Sequence, residues 1–150
     1  MKIYQKAIFG DYLMTMKYIY TSYFAAVKKL PDELCPIAIC GKSPDWWNGK
    51  STKILAPKLW FFKEWKKNHD NDFYIKNFNS EVLSKLEPIE VVKMLNKMSD
   101  GKTPCMICYE KPLDFCHRHI VAEWLNTNIP EIVTCVEYNE FEYNLSKVQR

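Results

Sequence analysis

Between Cys108 and His119 the chain collects the side chains best suited to chemistry. Within those residues stand two of its six cysteines, two of its three histidines and the only arginine besides the last residue. Each type brings a distinct capability. Arg118 offers a planar fork of donors that grips a carboxylate or phosphate with two parallel hydrogen bonds, which the lysines elsewhere in this chain cannot do. His117 and Glu110 are candidates to exchange protons with a bound molecule. Cys116 would lie in the first turn of a helix, and the positive end of a helix lowers a thiol's pKa and prepares it as a nucleophile.

The apolar stripe of that helix is Ile120, Val121, Trp124 and Leu125. One turn back from Ile120 and Val121 lies His117, at the N-terminal end of the buried face and aimed at the ends of the strands. Arg118 stands about 100° further round and reaches across the first turn. His119 falls on the side of Cys116 and Glu123, the more exposed one. The unpaired N–H groups of the helix start favour an anion. Arg118 and Lys111 would hold it, with Tyr109 and Cys108 beside it. The competing reading makes Arg118 a structural ion pair with Glu110 or Asp114.

Several specific chemistries are disfavoured by spacing. A cysteine phosphatase loop needs Cys, five residues, then Arg, and neither Cys108 nor Cys116 stands at that distance from Arg118. Lys50 and Ser51 follow Gly49, but Pro44 occupies the place where a phosphate loop needs its first glycine. Cys105 and Cys108 resemble half a zinc site, yet residues three apart on a strand point to opposite faces. With no second pair of zinc-finger spacing, neither a metal nor any other cofactor is predicted. Cys116 and His119, at i and i+3, are the pair on one helix face where zinc would find two ligands.

The elements that must position this block alternate in type. Strands are predicted at 17–22, 36–40, 105–109 and 132–136, and a short helix at 23–30. Longer helices follow around Leu59, Phe62 and Trp65, then at 72–86, 88–98 and 115–128, the last capped by Asp114. Strands that are apolar throughout and alternate with helices imply a three-layer, Rossmann-like α/β fold. Its mainly parallel sheet would have about four to five strands, with helices on both faces. Ligands of such sheets bind at the carboxyl ends of the strands. Ser22 and Tyr23 follow the first predicted strand, and the long 42–58 loop follows the second. Its Trp46 and Trp47 could stack on a ligand ring or plug the sheet edge. His69 reads as a solvated turn residue. Residues 1–150 are taken as a single domain, with 1–16 and 137–150 peripheral and the polar C-terminus frayed.

Composition sets the outer limits. Apolar residues at 47% and aromatics at 15% exclude a disordered chain. A net charge of +3 with scattered lysines argues against a nucleic-acid binder. Residues 1–6 are not followed by an apolar run of signal-peptide length, and no window approaches 18 uncharged apolar residues. The expectation is a cytoplasmic domain with reduced thiols and no membrane partner.

Cys108, Glu110 and Lys111, followed by Cys116, His117 and Arg118, resemble the motif of a bacterial and phage family known as domain of unknown function 488. Thr21 to Ala25, Pro44 with Trp46 and Gly49, and Leu55 to Pro57 are similar to one of its subgroups, so the likeness spans about residues 17–128. The Asp-Val-Arg segment of many members is missing from the N-terminal half. The resemblance implies a three-layer α/β fold and a site at the six motif residues, without assigning a reaction. The expected function is recognition of a nucleotide or another phosphorylated or anionic metabolite at the carboxyl edge of the sheet. A hydrolase acting on a phosphoester or N-glycosidic bond, with Glu110, His117 and Cys116 as catalytic residues, is the first alternative. A protein-interaction module, such as a phage-encoded inhibitor, is the second. Self-association into a homo-oligomer is left open.

Overall fold

The computed structural model describes residues 18–148. Its sheet has five strands, all parallel: β1 (Tyr18–Tyr23), β2 (Leu34–Ala38), β3 (Lys50–Ser51), β4 (Thr103–Cys108) and β5 (Thr134–Glu137), in the spatial order β3-β2-β4-β1-β5. The helices are α1 (Leu59–Asn68), α2 (Asn71–Glu81), α3 (Pro88–Ser99), α4 (His117–Asn128) and α5 (Glu140–Val148). Short 3-10 turns at Phe24–Lys29 and Leu83–Lys85 complete the set. Residues 1–16, expected to be peripheral, lie outside the described residues.

Both faces of the sheet are covered, which is why β2 and β4 in its middle are almost wholly apolar, while the edge strand β3 is exposed. Side chains alternate across it. Ile19, Cys35, Ile37, Met106 and Cys135 face a large core built from α1 to α4, with Phe61, Phe78, Leu95, Val121 and Leu125 at its centre. Tyr20, Leu34, Ala38, Cys105 and Ile107 face a smaller core closed by Phe24 and by Tyr143 of α5. Each wholly buried Leu or Phe contributes about 1.5–3 kcal/mol of transfer free energy, so the four-helix side carries most of the apolar stabilisation.

Local chemistry fixes the helix limits near the site. The Asp70 carboxylate accepts the Phe73 N–H (3.1 Å) and caps α2, while Pro88 occupies the first turn of α3. The predicted helix at 72–86 ends at Glu81 and passes into the 3-10 turn. Asp114 does not cap α4: Cys116 is the N-cap residue, without a side-chain cap bond.

Two further differences concern segments read as irregular. The 42–58 loop contributes the edge strand β3, whose Lys50 and Ser51 pair with Ile37 and Ala38. Residues 137–150, taken as peripheral and frayed, contain the end of β5 and the whole of α5. Asn139 caps that helix through the Glu142 N–H (3.0 Å), and Tyr143 inserts edge-on against Tyr20 at 5.6 Å. The polar composition hid this helix because it buries a single narrow stripe.

Candidate functional site at the carboxyl edge of the sheet

A cavity of about 650 Å³ opens at the carboxyl ends of β2 and β4, between the strands and α1. Three segments converge on it: Cys40 to Lys42 after β2, Cys108 to Glu110 at the end of β4, and Phe115 to His117 at the start of α4. Phe62 and Trp65 of α1 and Tyr74 of α2 form the outer wall with Phe115. These rings brace one another, with Trp65 at 5.4 Å and Tyr74 at 5.1 Å from Phe115. Exposed Lys42, Lys66 and Glu110 lie at the mouth, and Cys108, Cys116 and His117 are buried at the floor.

The floor has a defined proton arrangement. His117 Nε2 stands 2.9 Å from the Ile39 carbonyl oxygen, which can only accept, so Nε2 carries the hydrogen. Nδ1 therefore presents its lone pair towards Cys108 Sγ at 3.6 Å. The ring also packs on Phe78 at 5.6 Å, which limits its rotation. Cys116 sits at the positive end of α4. A hydrogen bond from the Cys108 thiol, the neighbouring His117 and the Arg118 backbone N–H together hold its pKa down at about 3, against the opposing effect of burial. The same hydrogen bond, reinforced by burial, pushes the Cys108 thiol up. The floor thus gathers two cysteine sulfurs and one imidazole nitrogen within 4.8 Å of one another.

Arg118 has a different fate from its neighbour. Its side chain is wholly buried, and its fork is filled by Glu137 at the end of β5, with Nε to Oε1 at 3.0 Å and Nη2 to Oε2 at 2.9 Å. Burial is the largest effect and opposes its charge, but Glu137 and Cys116 together, through hydrogen bonds and charge, raise its pKa. Thr21 donates to the same carboxylate at 2.5 Å, and the Tyr23 ring lies 5.9 Å from the guanidinium. The expected pairing with Glu110 or Asp114 is replaced by this one, and Arg118 does not line the cavity. A fork occupied by a carboxylate is not available to grip a ligand anion. His119 also turns to Glu137, at 4.0 Å, and it is not among the residues whose ligand atoms gather around Cys116, which are Cys108 and His117.

Of the remaining predicted residues, Tyr109 and Glu110 line the cavity and exposed Lys111 does not. Ser22 is buried within β1, and Tyr23 faces Arg118. Trp46 and Trp47 pack on Phe24, at 5.9 and 5.3 Å, rather than on the cavity. Trp47 is fixed there: its Nε1 donates to the Lys50 carbonyl at 3.2 Å, and its ring lies where a Cβ on Gly49 would come within 2.4 Å. Sequence reasoning did not foresee Glu137 or the wall of Phe62, Trp65, Tyr74 and Phe115. The signal for Glu137 was a lone carboxylate just past an apolar strand whose end was predicted at Val136. The wall residues carried no separate signal, because their helical spacing reads simply as core.

The fold and this cavity define a three-layer α/β protein with an aromatic pocket beside a cysteine-rich helix start. A family model described as "Active DUF488-N3 subclade" matches residues 31–129, and the chain belongs to that family of domain of unknown function 488. No curated protein and no solved structure matches the chain.

Proposed function

We propose that this protein binds a small molecule carrying a planar ring, such as a nucleotide, in the cavity at the carboxyl edge of its sheet. The observation that carries the reading is the combination of an aromatic wall with a polar floor in one concave space of about 650 Å³. Trp65, Tyr74 and Phe115 supply faces and edges against which a base would stack, each such contact contributing about 1–3 kcal/mol. Lys42 and Lys66 at the mouth would attract an anionic substituent and leave it partly in water. Arg118 has no direct part in this reading; it supports the start of α4 from behind.

One observation favours turnover over storage. The His117 lone pair and the Cys116 thiolate lie on the cavity floor, where a bound ring or its linkage would meet them. Hydrolysis of a phosphoester or N-glycosidic bond, with Glu110 or His117 moving the proton, is the reaction class that suits these groups. The matching family subclade is itself described as active.

Incubating the purified protein with a nucleotide and metabolite pool tests both readings by mass spectrometry. A compound withdrawn from solution and returned intact on denaturation identifies a binder; a new species identifies an enzyme, and its mass names the bond broken. Retention by wild type that is lost in Trp65→Ala locates the event in this cavity. If nothing is retained or converted, the reading is wrong.

A further inference from the structure

We propose that Cys108, Cys116 and His117 form a zinc site whose fourth coordination position opens into the cavity. Among the described residues, the Sγ atoms of both cysteines and a ring nitrogen of His117 all lie within 4.8 Å of one another, and all three side chains are buried. Two thiolates and an imidazole are the donors a borderline-soft dication prefers. With bonds of about 2.3 Å to sulfur and about 2.05 Å to nitrogen at a tetrahedral angle, S and N ligands of one zinc stand about 3.6 Å apart. Cys108 Sγ and His117 Nδ1 are 3.6 Å apart.

Three further features fit this chemistry. A ligating histidine ordinarily donates its other N–H to a carbonyl or carboxylate, which fixes the tautomer and turns the free lone pair to the metal. The Ile39 carbonyl already does this for His117 at 2.9 Å. Charge also balances: two thiolates neutralise the dication, so the buried site carries no net charge, and the adjacent Arg118 is compensated separately by Glu137. Finally, the three ligands come from the end of β4 and the start of α4, which backbone pairing and helix packing hold rigidly together. On metal binding both cysteines ligate as thiolates, and the protons they give up pass to solvent.

Three protein ligands with one open position distinguish catalytic from structural zinc sites. All three residues line the cavity, so the open position faces whatever the cavity holds. The inference deepens the reading above: a water there would be the nucleophile for hydrolysis, and the aromatic wall would position its target.

The test uses the full chain, reduced and stripped with a chelator, then titrated with cobalt(II) and back-titrated with zinc. One equivalent should bind, with thiolate-to-cobalt charge-transfer absorption of two sulfurs and the intense visible bands of a tetrahedral ion, all displaced by zinc. Cys108→Ser and Cys116→Ser should each remove about half of the charge-transfer band and weaken binding by at least about tenfold. Cys35→Ala, in the core away from the cavity, should leave the spectrum unchanged. The wild-type spectrum counts thiolates without any mutation, so a misfolded variant does not rescue the idea. Absence of a thiolate band in the reduced wild type, or a band indifferent to Cys116→Ser, overturns it. Metabolite retention by metal-free protein without any cobalt band would keep the cavity and remove the metal, whereas a cobalt band with no retained metabolite would do the reverse.

Discussion

His117 and Arg118 are adjacent in sequence, both buried, and placed in opposite situations. Arg118 points into a charge-paired network: both Glu137 oxygens accept from its Nε and Nη2, Thr21 donates to the same carboxylate, and Tyr23 lies nearby, while Nη1 is left without a hydrogen-bond partner. His117 points to the cavity: a carbonyl takes its Nε2 hydrogen, and Nδ1 meets a thiol at the cavity floor. One residue's rotation about α4 separates a side chain that holds the fold from one available for chemistry. The comparison teaches that residue type alone does not mark a site. An arginine in a lysine-rich chain looks functional, but a fork filled by a carboxylate is structure. A histidine held by a carbonyl through Nε2 turns Nδ1 to the cysteines of the cavity floor.

The largest expected effect breaks the charge-paired side. Glu137→Ala leaves the Arg118 charge buried without its partner and should cost about 3 kcal/mol or more, read as a lower urea midpoint. A loss under about 1 kcal/mol would mean that water reaches the guanidinium and that the contrast is weaker than drawn. Arg118→Lys should cost somewhat less, about 1–2 kcal/mol, because an ammonium cannot satisfy both oxygens. Affinity of the folded protein for a cavity ligand should stay the same. If that affinity instead fell with the substitution, Arg118 would belong to the binding site after all.

On the cavity side the expectations invert. Phe115→Ala should weaken a ring-bearing ligand about five- to tenfold by removing one wall of the cavity, as measured by calorimetry or by quenching of Trp65 fluorescence. Cys116→Ser should leave stability within about 1 kcal/mol of wild type, because serine is the better N-cap. It should nonetheless remove any chemistry of the floor. Smallest of all, Lys66→Ala should lower affinity for an anionic ligand two- to threefold at low salt, with about no effect left at 0.5 M salt. An effect that survives high salt would mean direct contact in a desolvated place.

How much was legible depended on the length scale of each interaction. Ile37 to Cys40 and Cys105 to Cys108 read as buried strands because both faces of a parallel sheet are covered, and that pattern is local. The position of His117 at the end of the buried stripe of α4 followed from helical periodicity in the same way. The helix α5 was missed because Glu140, Glu142 and Asn144 dominate its composition, and its one buried ring, Tyr143, meets Tyr20 across 123 residues of chain. Trp46 and Trp47 were open between a ligand platform and a plug. Both pack on Phe24, and Trp47 is further held by Lys50 and Gly49.

By itself the sequence determined the α/β class, the parallel sheet, the family motif and the edge of the sheet where chemistry-bearing residues gather. Those follow from short-range periodicity and from the geometry common to all parallel sheets. Only the tertiary structure decided which of these residues face one another. The addition of β5 beside β1 brought Glu137 to Arg118, and the packing of α1 and α2 over the ends of β2 and β4 enclosed the cavity. The meeting of Cys108 with Cys116 and His117 required a strand end and a helix start to converge. Pairings of that kind are set by how whole elements dock, which no local pattern encodes.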